Sequence, residues 1–230
     1  MDVRLNHVEK GSGEPLILLH GNGENAGYFS HQLEELSPFY RVIALETRGH
    51  GDSPRGEGEF SIRRFAEDLA GFMDELGIPK AHLFGFSDGG NIALTFALRR
   101  PERVGRMILN GANLFPAGVK RSVQLPIELG YRLASLSAKR SEKARKNAEM
   151  LGLMVKEPNI RPEELKKLTV RTLVIAGTRD MIKESHTRLI FESLPDAKLV
   201  LLEGDHFIAN KKYAEFDREV LSFLSEPEKK

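Results

Sequence analysis

The chain has 230 residues, 40% of them hydrophobic, a formal net charge of +1 and no cysteine. That length suits one domain, or one domain with a modest insertion. A disulfide framework and a cysteine-based metal site are excluded, and the near-zero charge argues against nucleic acid as the main partner.

The first residues, Met1-Asp2-Val3-Arg4-Leu5-Asn6, lack the basic-then-apolar build of a signal peptide. No apolar run approaches the roughly 20 residues that span a bilayer. A cytoplasmic location without stable membrane association is the expectation. Strand-like runs fall at 3–8, 15–20, 41–46, 81–86, 106–111, 171–176 and 197–203, alternating with helical stretches. Alternation of this kind predicts an α/β fold, a mostly parallel sheet with helices on both faces. The run Leu16-Ile17-Leu18-Leu19 leads into His20-Gly21-Asn22-Gly23, and the third run leads into Arg48-Gly49-His50-Gly51-Asp52-Ser53. Phe65, Leu69, Phe72, Met73 and Leu76 recur at three and four residues and predict an amphipathic helix ended by Gly77 and Pro79. Between Ala112 and Val170 the strand rhythm stops and helical patterns take over. Tyr213, Phe216, Val220, Leu221 and Leu224 predict the last helix.

The chemistry centres on Gly85-Phe86-Ser87-Asp88-Gly89. This G-x-S-x-G pentapeptide follows the short apolar run Ala81-His82-Leu83-Phe84 and precedes an apolar helical stretch stopped by Pro101. Strand, tight turn and helix are the context the motif requires, and they would present Ser87 at a helix N-terminus. A serine hydroxyl needs a base, and the base needs an orienting acid. Of seven histidines, only His206 follows a late apolar strand in a short turn. Asp180 ends Gly177-Thr178-Arg179-Asp180 after the strand-like Thr172-Leu173-Val174-Ile175-Ala176, on the same predicted sheet edge. Asp205 adjoins His206 and is poorly placed to bond its ring, and the preceding strand ends in Asn110-Gly111-Ala112-Asn113, without a carboxylate.

These motifs together resemble the α/β-hydrolase fold superfamily, in its cap-bearing serine hydrolase branch, over nearly the whole chain. His20-Gly21-Asn22-Gly23 resembles the oxyanion loop, Arg48 to Ser53 the R-G-x-G-x-S turn, and the segments at Asp180 and His206 the acid and histidine loops. Two features depart from the family: Glu46 stands where aspartate is usual, and the short N-terminal segment leaves no room for the usual first strand. The resemblance implies Ser87, Asp180 and His206 as catalytic residues, the backbone N–H groups of Asn22 and Asp88 as the oxyanion hole, and no metal or organic cofactor. It also implies a core of residues 1–112 and 170–230 with a helical cap at 113–169. The apolar side chains of Phe86, Phe115, Met150, Met154 and Phe207 are expected to give a small acyl pocket. The expected activity is hydrolysis of small carboxylic esters by a monomer or homodimer. Amino-acid ester or amide hydrolysis, C–C bond hydrolysis, perhydrolysis and non-catalytic ligand binding are the alternatives. The Ser-Asp-Gly-Gly elbow is similar to that of valacyclovirase-like hydrolases, in which the acidic residue engages a substrate amino group; Asp88 has that role or caps the helix. The basic stretch 139–146 reads as a solvated helix face, with attraction to anionic substrates or surfaces as the other reading.

Overall fold

Short apolar runs become strands here because each is cut by a turn before a helix can form. A computed structural model describes residues 2–227; Met1 and residues 228–230, which bound the expected core segments, lie outside them. The strands are β1 His7–Lys10, β2 Pro15–Leu19, β3 Arg41–Leu45, β4 Ala81–Phe86, β5 Val104–Asn110, β6 Thr172–Gly177 and β7 Ala197–Leu202. They form one sheet in the order β1-β3-β2-β4-β5-β6-β7, with β1 antiparallel to β3 and every other pair parallel.

The first strand begins later than the run at 3–8 predicts. Val3 and Leu5 are buried, but the backbone before His7 is tied to other loops. Asn6 N–H donates to Ser53 Oγ at 2.8 Å, and Asn6 O accepts Glu46 N–H at 2.9 Å.

Nine helices are described: α1 Ser30–Leu36, α2 Ile62–Glu75, α3 Asp88–Arg99, α4 Arg121–Ser137, α5 Glu142–Lys156, α6 Pro162–Leu165, α7 Glu184–Ser193, α8 Ile208–Lys211 and α9 Tyr213–Ser225. Helix α2 starts where Ser61 Oγ accepts Arg64 N–H, and it buries Phe65, Leu69, Phe72 and Met73, as its periodicity predicts. Successive strand side chains face opposite sides. In β2, Ile17 and Leu19 join Phe65, Leu69 and Phe96 on one side, while Leu16 and Leu18 join Phe29, Phe216 and Phe223 on the other. Parallel strands covered on both faces are apolar throughout, and β2 follows that rule.

Between β5 and β6 the chain leaves the sheet as a helical hairpin, α4–α5. Its ends meet at the hydrogen bond from Ile160 N–H to Leu114 O, 2.8 Å. Residues after Ile160 return to the body, and Leu165 and Leu168 are buried in the core. Among the described residues no helix is long and apolar enough to cross a membrane.

Candidate active site

Strand β4 delivers Ser87 into a conformation that L-residues avoid. Its φ of 53° makes it the one non-glycine residue at positive φ among the described residues. Such strain costs about 1–3 kcal/mol and persists only where surrounding bonds hold it. Here Ser87 N–H donates to Asn110 O at 2.8 Å, and the N–H groups of Gly90 and Asn91 donate to Ser87 O at 2.9 and 3.2 Å. The motif's second glycine is required by contact: a Cβ on Gly89 would stand 1.9 Å from Leu19 O. Helix α3 therefore presses against the end of β2, and Ser87 projects at the carboxyl edge of the sheet.

Ser87 Oγ lies 3.0 Å from His206 Nε2, and His206 Nδ1 lies 2.7 Å from Asp180 Oδ1. With Nδ1–H donating to the carboxylate, Nε2 is left to accept the serine proton. His206 and Asp180 are buried, and Asp180 Oδ1 is held further by Ile182 N–H at 2.8 Å. Asp205, the neighbouring carboxylate, accepts Phe207 N–H at 3.0 Å and pairs with Lys211, so it serves the turn.

The His20 loop stands beside this relay. A Cβ on Gly21 would lie 3.2 Å from Ser87 Cβ. His20 fixes the loop, with Nδ1 2.7 Å from Gly21 O and Nε2 accepting Thr47 N–H at 3.1 Å. Burial, aided by neighbouring His50, lowers the His20 pKa to about 4, so the ring is neutral at pH 7. Among the described residues, neither Asn22 N–H nor Asp88 N–H donates a hydrogen bond, which leaves both free for a ligand oxygen. The Asn22 side chain reaches across to the hairpin, Nδ2 donating to Met150 O at 2.8 Å.

Asp88 does not cap α3. Its Oδ1 accepts the side chain of Asn91 at 3.2 Å, and its Oδ2 is buried without a partner. Burial raises its pKa to about 6, against the nearby side-chain amides of Asn22 and Asn91. Asn91 is held in turn by Asn113, which receives Nδ2–H at Oδ1 (3.1 Å) and donates its N–H to Asn91 Oδ1 (3.0 Å).

Of the expected pocket residues, Phe86 and Phe207 flank His206, with ring centroids 4.8 and 5.5 Å from the imidazole. Met150 adjoins the site through its carbonyl on Asn22. Phe115 stands edge-on to His186 at 4.6 Å, and Met154 offers its carbonyl to Gln124 at 3.2 Å. Sequence reasoning passed over Glu24, which follows Gly23 in the same loop, and Tyr28, in the short helical turn Ala26–Phe29 beyond it. Burial pushes the Glu24 carboxyl up to about 7, and its Oε2 is buried without a partner. The Tyr28 ring stacks on Phe86 at 4.3 Å, and its buried hydroxyl also lacks a partner. Among the described residues no group of three or more histidine, aspartate or glutamate side chains is placed to hold a metal ion.

A strained serine on a strand-to-helix elbow, relayed to a histidine and an aspartate from two later loops of a parallel sheet, defines a class. The chain belongs to the alpha/beta hydrolase fold family, whose model matches residues 14–149. It is a hydrolase of that fold. Over 97% of its length it is 30% identical to the 2-hydroxy-6-oxo-6-phenylhexa-2,4-dienoate hydrolase of Comamonas testosteroni, 92% of which is covered. The solved meta-cleavage product hydrolase from Pseudomonas fluorescens IP01, complexed with acetates, superposes with a TM-score of 0.79 at 30% identity, covering 96% of this chain and 94% of that one. An esterase from Exiguobacterium antarcticum shares the fold, with a TM-score of 0.83, 21% identity and coverage of 97% and 96%.

Proposed function

We propose that this protein is a serine hydrolase of small carboxylic esters, working through an acyl-enzyme. The observation that carries the reading is the unbroken relay Asp180–His206–Ser87 beside two undonated N–H groups. Ser87 Oγ attacks the ester carbonyl while His206 Nε2 takes its proton. The N–H groups of Asn22 and Asp88 receive the developing oxyanion. His206 then protonates the departing alkoxide, and Asp180 stabilises the imidazolium. A water, deprotonated by His206, attacks the acyl-serine and releases the acid. The α4–α5 excursion, closed at its base by the Leu114–Ile160 bond, acts as a cap over the sheet, with the small-molecule ester entering between them. A cytoplasmic location, with no nucleic-acid partner, is part of the same reading.

The polar groups near Ser87 narrow the acyl part. Asp88 and Glu24 each carry a buried carboxyl oxygen without a partner, as does the Tyr28 hydroxyl, and among the described residues neither carboxyl forms an ion pair. A neutral or ammonium-bearing ester suits such a site better than a carboxylate. The identity to a dienoate hydrolase favours a second reading, cleavage of a C–C bond by the same relay. The two carboxyl groups count against it, because a dienoate brings another negative charge.

One panel tests both: p-nitrophenyl esters, amino-acid esters and a 2-hydroxy-6-oxo-dienoate, on wild type, Ser87→Ala and Asp88→Asn. We expect ester turnover to exceed dienoate turnover and to fall about ten-thousand-fold or more in Ser87→Ala. A fluorophosphonate should label Ser87 alone. Asp88→Asn should raise KM for amino-acid esters selectively, since its backbone N–H is kept. Faster dienoate cleavage would move the protein to the second reading, and persistent turnover in Ser87→Ala would remove both.

A further inference from the structure

Helix α4 carries Leu125, Leu129, Leu133 and Leu136 at exposures of 46%, 58%, 59% and 80%. Spacings of four, four and three put them on one helical face. That face points away from the molecule. Tyr131, on another side of α4, lies under Lys156 Nζ at 5.0 Å and so faces α5. Leu153 of α5 is buried in the core, whereas Gln124 is the one buried residue of α4. A contiguous apolar row of this kind on a soluble surface marks an interaction site.

The charges around the row indicate what covers it. Arg121 and Arg132 sit along its edge, and Lys139 and Arg140 follow directly beyond Leu136. None of these four has an ion pair among the described residues, although Arg145 and Lys146 nearby are paired with Glu149 and Glu142. The only carboxylate within α4 is Glu128. A second copy docked about a two-fold axis would set this row and these cations against themselves, like charge on like. The helix does not span a bilayer. Leucines on one face with arginine and lysine at the margin are the build of a helix lying in the plane of an interface.

We infer that the leucine row of α4 docks the protein onto an anionic lipid surface. The leucines enter the boundary between headgroups and acyl chains, and Arg121, Arg132, Lys139 and Arg140 meet headgroup phosphates. The same hairpin carries Met150, whose carbonyl holds Asn22, so the docked element is also the one that borders the site. This inference goes beyond the hydrolase reading and does not depend on it.

Co-sedimentation of the full chain with phosphatidylglycerol vesicles and with phosphatidylcholine vesicles, at low and high salt, tests it. We expect binding to the anionic vesicles that weakens with salt, and binding to the neutral ones about tenfold weaker or less. Leu129→Ser with Leu133→Ser should lower the anionic partition about tenfold or more. Arg132→Gln with Lys139→Gln and Arg140→Gln should abolish the preference for anionic lipid. All of these side chains are solvent-exposed, so circular dichroism and turnover of a soluble ester should match wild type. Absence of binding to phosphatidylglycerol, or unchanged binding of the leucine variant, would overturn the inference. So would a wild-type dimer without vesicle binding that the leucine variant dissociates.

Discussion

A methyl group on Gly111 would lie 2.6 Å from His206 Cε1 and 2.8 Å from Nδ1, at a backbone φ of 63° that already favours glycine. The imidazole and the Asp180 carboxylate, whose Oδ2 would lie 3.3 Å from that methyl, therefore rest against bare backbone, and this contact helps to fix the ring. Gly111→Ala should push the ring off Ser87 and lower kcat about a hundredfold or more, with KM little changed, because a displacement near 1 Å is enough to spoil a proton transfer. Steady-state kinetics and a melting curve together check this: loss of kcat with a retained transition supports it, and normal kcat would refute it. Glu46 shows the same economy of contact. Its carboxylate accepts Asn6 Nδ2–H at 2.9 Å, Asp52 N–H at 2.7 Å and Ala26 N–H at 3.2 Å. Burial would raise its pKa, but these three donors outweigh burial and lower it. The longer side chain at a position where aspartate is usual thus ties the N-terminal segment to two loops.

Elements differ in how much of them could be read beforehand. The elbow from β4 to α3 was legible because its glycines are required by backbone contact and its flanks by burial, and both leave marks in sequence. His206 and Asp180 were legible because each stands in a short loop just after an apolar strand on the same sheet edge. The outer face of α4 was not, since Val123, Ile127 and Tyr131 are as apolar as the leucines and periodicity alone does not say which stripe meets the body. Asp88 as a cap was a fair reading of a helix N-terminus, but the Asn91–Asn113 pair draws its carboxyl aside. Packing of α1 on α9 hid another group. Asp217 is buried against Gln32, whose Nε2–H it accepts at 3.0 and 3.2 Å, and burial raises its pKa from 3.8 to about 7 despite that bond. A carboxyl raised on folding stabilises the folded state while protonated. Its contribution is complete below pH 4 and is lost as pH rises toward and through 7. Asp217→Asn should therefore gain on wild type as pH rises from 4 to 8, by on the order of 2–4 kcal/mol. Denaturant titrations at both pH values measure it, and a pH-independent difference would exclude it.

At the scale of the whole molecule, the bond between Leu114 O and Ile160 N–H joins the two ends of the α4–α5 excursion at its base. Within the two helices burial is thin, Gln124 alone in α4 and Leu153 alone in α5, whereas Gly118 and Val119 before α4 are buried and bonded to the Met181–Lys183 loop. The sheet below is buried almost completely in β2, β4 and β6. Opening of α4 and α5 alone then neither lengthens a loop through the sheet nor uncovers much buried apolar surface, so the two helices form a separate cooperative unit. The protein keeps two clocks. Amide exchange should show the fast one in α4, with protection at least about tenfold below that of β2 and β4, and the slow one across the strands that hold Ser87. Opening of the hairpin would thus release Asn22 from Met150 at the rim of the site, while the Asp180–His206–Ser87 spacings, carried by the sheet, stay constant.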